Sequence, residues 1–146
     1  MIMKFIDKWN DNKSTLENYY RTHEQKEYDT YEKIIKLIFE LIINDDEEDF
    51  NIKRLTVIDN GDYQGTQLFI IPRNVYQPDV TDYVYTHNYY GSCSGCDTLL
   101  SISNYSEDLP TKNQIKDYML LSLNLIENMK YLKEEGEENV EWIRKT

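Results

Sequence analysis

The spacing of apolar residues switches period along this chain, and the switch limits what it can fold into more than any other feature. Tyr28, Tyr31, Ile35, Ile38, Phe39 and Ile42 recur at three- and four-residue intervals, with Asp29, Glu32, Lys33, Lys36 and Glu40 mostly on the other side. That is a helix with one buried face. It should end at Asn44 and the acidic run Asp45, Asp46, Glu47, Glu48, Asp49, where like charges crowd and the negative end of the helix dipole opposes more of them. The period then falls to two. Arg54–Ile58 and Thr66–Ile71 are rich in β-branched and aromatic residues and flank Asp59-Asn60-Gly61-Asp62-Tyr63-Gln64-Gly65, which predicts an antiparallel hairpin turning at Asn60-Gly61. Gly65 is expected to relieve a bulge, and Pro72 to close the second strand for want of an N–H. Tyr83–Tyr90 predicts a third strand with Tyr83, Tyr85, His87 and Tyr89 on one face.

Helical spacing returns in Ile115, Tyr118, Met119, Ser122, Leu125, Ile126 and Met129. Thr111 and Gln114 form a capping box at its start, with Pro110 placed to staple against Ile115. Two further helix starts are expected, at the Ser14/Glu17 capping box and at Asp97 before a short helix over 97–102. The run Glu134 to Glu138 breaks the last pattern, and Trp142 and Ile143 are placed to dock a final turn. With 146 residues, the size of one ordinary domain, the expectation is a single α+β domain over 1–146. An antiparallel sheet of about three strands packs against N-terminal and C-terminal helices: helical 1–44, sheet 52–90, helical 97–134 and a tail over 135–146.

Acidic residues outnumber basic ones by 27 to 16, for a formal charge of −11. Such a charge opposes direct binding to nucleic acid or anionic lipid and suits approach to a basic protein surface, such as a groove built to hold DNA or RNA. Its plainer meaning is solubility. Candidate partner contacts are Asp45, Asp46, Glu47, Glu48, Asp49, Asp59, Asp62, Glu107 and Asp108, with Tyr63 and other exposed tyrosines beside them. There are 13 tyrosines, and tyrosine anchors interfaces by joining a large ring to a hydroxyl that tolerates water. Lys36 and Glu40 interrupt the longest apolar stretch, Ile34–Ile43, so no membrane span is expected. Met1–Asn12 holds no apolar run of the kind secretion requires, which places the protein in the cytoplasm.

Both cysteines fall in Tyr90-Gly91-Ser92-Cys93-Ser94-Gly95-Cys96-Asp97, between a strand and a helix start. A thiol at a helix N-terminus is biased toward thiolate, which gives a redox reading of Cys93 and Cys96. A zinc site needs more ligands, which His87, His23, carboxylates or a second copy in a homodimer would supply. The plain alternative is that small residues let strand and helix backbones approach, with cysteine acting as a small hydrophobe. No nucleophile elbow, phosphate-binding loop or His-Glu-x-x-His arrangement is present, and catalysis has no support in the residues. No resident cofactor is expected.

Asp62-Tyr63-Gln64-Gly65-Thr66, Tyr76-Gln77-Pro78, the early Leu16–Gln25 segment and above all Tyr90–Leu99 with its Gly-Ser-Cys-Ser-Gly-Cys-Asp-Thr core resemble a set of small proteins encoded by phages and prophages. The resemblance implies a phage origin and a small accessory protein inside the host cell. An acidic inhibitor that blocks a host defence or nucleic-acid-handling protein, as anti-CRISPR proteins do, is the expected role. A thiol or zinc protein and a phage structural or assembly component are the alternatives. The resemblance assigns no catalytic or binding residue.

Overall fold

The computed structural model describes residues 2–25, 30–61, 65–91, 98–103 and 108–133. The first helix, α1, runs over Met3–Thr22 and buries Phe5, Trp9, Leu16 and Tyr20. These positions fall at helical spacing through Ser14, so the helix does not begin at the Ser14/Glu17 capping box as its sequence suggests. Burial of one continuous face outweighs a local cap signal. At its true start Ile2 has no side-chain cap; its carbonyl accepts from the Phe5 N–H, and Ile2 is itself buried.

The next helix, α2, spans Tyr31–Ile38 and runs straight into a π-helical turn, Phe39–Ile43. The Asn44 N–H donates to the Phe39 carbonyl at 2.9 Å, closing a ring one residue wider than an α turn. Tyr28, assigned to the same stripe, lies outside the described residues. The wider turn lets Phe39, Ile42 and Ile43 all face the core beside Ile34, Ile35, Leu37 and Ile38. Carbonyls at the end of a helix need outside donors. Here α1 supplies them: Asn12 Nδ2 donates to the Ile42 carbonyl at 3.0 Å and Lys8 Nζ to that of Ile43 at 2.8 Å. Asn44 then exchanges two hydrogen bonds with the Phe50 backbone, 2.8 and 3.0 Å long, and so fixes the acidic loop between them.

The sheet is antiparallel and has four strands in the order β1-β2-β3-β4, one more than the sequence suggested. Its members are β1 Thr56–Asp59, β2 Gly65–Pro72, β3 Tyr83–Tyr90 and β4 Lys130–Tyr131. Ile52–Arg54 forms a single 3-10 turn, which delays β1 by two residues from its expected start. The added strand falls inside the segment 97–134 that was expected to be wholly helical. Between them, α3 (Thr98–Ser103) and α4 (Lys112–Glu127) account for the helices there, and α4 ends before Met129. Met129 nevertheless stays fully buried, because β4 pairs Tyr131 with Val84 and Lys130 with Tyr85. Thr111 and Gln114 do make the reciprocal capping box read from the sequence.

Side chains alternate across a sheet, and here one face is buried against helices. Phe69, Ile71, Val84 and Thr86 are fully buried on that face, and the Thr86 hydroxyl is satisfied by the Leu125 carbonyl at 2.8 Å. In the helical layer Tyr20 stacks on Tyr118 with centroids 5.0 Å apart, and its hydroxyl meets Ser122 Oγ at 3.3 Å. Ser122 is the small residue that interrupts the α4 stripe, and the space it leaves is taken by that phenol. The opposite alternation makes a clear prediction. Phe69→Ala should lower unfolding free energy in urea by about 3–5 kcal/mol, and Ile58→Ala, on the other face, by less than about 1 kcal/mol.

Candidate functional site

In the acidic run Asp45, Asp46, Glu47 and Asp49 stay exposed, and Glu48 turns inward. Asp45 Oδ1 accepts from the backbone N–H groups of Glu47 and Glu48 at 2.9 and 2.8 Å, so the segment turns sharply. That turn delivers Glu48 to a buried position. Lys4 and Arg73 both donate to Glu48 Oε2, Arg73 at 2.6 Å. Lys8 lies 3.6 Å from Oε1, which has no hydrogen bond of its own, and 3.2 Å from Asp45 Oδ2. Arg73 also covers the Phe50 ring at 5.3 Å, a cation–π arrangement that holds the guanidinium over the core edge. Burial pushes the Glu48 carboxyl up, but the hydrogen bonds and charges of Lys4 and Arg73 outweigh it and hold the group below the usual carboxylate range. Asp45 is lowered as well, first by its bond from the Glu48 N–H. Asp49 is engaged by the Asn74 side chain at 2.9 Å. Of the five acids, Asp46 and Glu47 are left as exposed carboxylates that no side chain engages among the described residues.

Asp59 is likewise drawn into local structure. Its Oδ1 accepts from the Tyr90 hydroxyl at 2.5 Å and from the Gly61 N–H at 3.0 Å, and its Oδ2 from Gln67 at 3.2 Å. The Tyr90 hydrogen bond, followed by that of Gly61, lowers its pKa. Across the same turn Asn60 Oδ1 accepts from the Thr66 N–H at 2.8 Å, extending the ladder with a side chain. The register is unbroken through Gly65 opposite Tyr90, so Gly65 is not needed for a bulge. A Cβ there would fall 2.9 Å from Gly61 Cα and from Asn60 Oδ1, and close approach is what requires glycine.

The tyrosine face is present as the sequence suggested. Tyr83, Tyr85, His87 and Tyr89 alternate with the buried Val84 and Thr86, and register places Ile58 and Leu68 beside His87, and Ile70 beside Tyr85. No described helix packs on this side of the sheet. Ile58 is 49% exposed and Tyr89 54%, so the patch is contiguous, apolar and aromatic, of the kind that marks interaction surfaces. Tyr76, in the β2–β3 connection, is 93% exposed. The aliphatic members Ile58, Leu68 and Ile70 were hidden from a sequence reading that followed charge; their period-two alternation opposite Val57, Phe69 and Ile71 was the available signal.

His87 lies outward on this face, and Asp108 is exposed in the segment before α4. Asp62, Tyr63, Cys93, Cys96 and Glu107, with the caps and turns assigned to Asp97, Trp142 and Ile143, lie outside the described residues. Among the described residues no three His, Cys, Asp or Glu side chains gather as a metal-ligand set, and no helix is long and apolar enough to cross a membrane. Comparison with protein-family models, curated proteins and solved structures finds no match to this chain.

The Glu48 cluster sets a pH dependence. A carboxylate whose folded pKa is depressed contributes stability above its unfolded pKa and loses it as pH falls through the folded value. Glu48 should therefore stabilise the fold fully above about pH 5 and progressively less below about pH 4. Because Lys4 and Arg73 keep part of their hydration, Glu48→Gln should cost about 2 kcal/mol at neutral pH. Urea denaturation across pH 3–7 should show the wild-type and Glu48→Gln stabilities converging at the acid end.

Proposed function

We propose that the protein is a binding factor that docks on a basic protein surface through the outer face of its sheet. The observation that carries this reading is the outward row of Ile58, Leu68, Ile70, Tyr85 and Tyr89, in which Ile58 and Tyr89 are exposed, the other three are half-buried, and no described helix covers them. Aromatic and aliphatic side chains on a rigid sheet supply contact area at low entropic cost. The net charge of −11 adds long-range attraction toward a cationic partner and raises the rate of encounter. Asp46 and Glu47 remain available for that steering, whereas Asp45, Glu48 and Asp59 serve the fold.

Taken with the resemblance to phage-encoded proteins, the partner is a host protein that handles nucleic acid or mediates defence. Occupation of its basic channel excludes the nucleic acid and inhibits it. The site of action is then the host cytoplasm.

Affinity purification from bacterial host lysate at low ionic strength tests this. The expected result is retention of a nucleic-acid-binding protein that elutes with added salt and is displaced by DNA or RNA. An Ile58→Ser/Tyr85→Ser variant should fold and retain about tenfold less of it. Equal retention by the variant would remove the sheet face from the mechanism, and a partner that nucleic acid does not displace would remove the inhibitory role.

A further inference from the structure

A groove of about 590 Å³ runs between α1 and α4. Its volume is that of a small-molecule site, within the ~300–1,000 Å³ such sites span. On α1 it is lined by Trp9, Lys13, Glu17 and Arg21, four residues at four-residue spacing and hence one stripe of the helix. On α4 it is lined by Ile115, Met119, Leu120 and Leu123, with Lys112, Lys116 and Asp117 toward the helix start. Leu120 is 57% exposed, an unusual position for a leucine on a helix flanked by lysines.

The two helices run in opposite directions. Phe5 near the start of α1 lies 6.5 Å from Tyr131, just past the end of α4, and Tyr20 near the end of α1 stacks on Tyr118 in the first half of α4. Trp9 is therefore at the same end of the groove as Leu123, and Arg21 at the same end as Lys112. On α4 the lining is apolar at the Leu123 end and cationic at the Lys112 end, while on α1 Lys13 lies one turn from Trp9. Arg21 is occupied by Glu17 at 2.6 Å, while Lys13, Lys112 and Lys116 have no ion pair among the described residues. Four cations face two carboxylates, Glu17 and Asp117, so the groove is locally positive on a protein whose total charge is −11. The positive end of the α4 dipole lies at this same end.

We propose that the groove binds a single-chain amphipathic carboxylate of the fatty-acid class. The hydrocarbon chain lies along Met119, Leu120 and Leu123 against the edge of the buried Trp9, removing the exposed apolar surface of those three side chains from water. The carboxylate is met by Lys112 and Lys116, one turn apart on α4, at the end of the groove where Arg21 lies on α1. A neutral or cationic head on the same chain would leave these ammonium groups without a counter-charge or repel them, so the charge at the groove's end sets the ligand class.

Calorimetric titration of the full chain with dodecanoate, below the concentration at which it forms micelles, tests the proposal. Saturable one-to-one binding is expected, with dodecyltrimethylammonium, the same chain bearing a cationic head, binding at least about tenfold more weakly. The Lys112→Glu/Lys116→Glu variant alters two exposed side chains outside the core and should weaken dodecanoate by about tenfold while its urea midpoint stays unchanged. Leu123→Asp should weaken both amphiphiles. Equal binding of the two head groups, unchanged affinity in the double lysine variant, or absence of saturable dodecanoate binding would each overturn the proposal. Association with vesicles of phosphatidylglycerol without binding of free dodecanoate would overturn it in favour of a membrane surface, and concentration-dependent dimerisation blocked by Leu120→Glu in favour of a second copy.

Discussion

A single buried carboxylate gathers the parts of this fold that are distant in sequence. Glu48 receives Lys4 and Lys8 from α1 and Arg73 from the end of β2, so the first helix, the acidic loop and the sheet meet at one charge. A carboxylate taken out of water demands compensation, and three cations from two separate elements provide it. Lys8 contributes twice, since it also caps the Ile43 carbonyl at the end of the π turn. The aromatic rings of Phe5, Phe50 and Tyr131 lie beneath these cations and complete the junction.

Much of the architecture could be read from residue spacing, because burial on one face writes a period into the sequence. The α2 stripe, both long strands and the Thr111/Gln114 cap of α4 follow from that rule. Ser14 misled for an identifiable reason: a capping box is local, whereas the helix start is decided by where Phe5 and Trp9 are buried. The two-residue strand β4 carries too few residues to show any period. It exists because Lys130 and Tyr131 meet the open edge of β3, a contact between residues over forty positions apart.

The charged residues were harder to place than the apolar ones, and the reason is again physical. Composition fixes the total charge but not its distribution, and an acid in a loop has backbone N–H groups within reach before any partner arrives. Asp45 and Asp59 both take that option. Glu48 finds cations through tertiary contacts that no local spacing encodes. The tyrosine row, by contrast, was legible as a period of two, and its exposure follows from the helices occupying the other side of the sheet. The groove between α1 and α4 combines both cases: its apolar floor is periodic, and its cationic end emerges only when two helices far apart in the chain lie side by side.

The π turn at Phe39–Ile43 has a consequence for how this sequence can change. Each residue advances a helix by about 100°, and the widened ring holds one more residue than a regular helix would. Losing that residue would leave the incoming helix undisturbed and rotate everything after it, carrying Asn44 away from the Phe50 backbone and Glu48 away from its cations. Lineages descended from a common ancestor of this chain are thus expected to tolerate swaps of side chains here while conserving the count of residues.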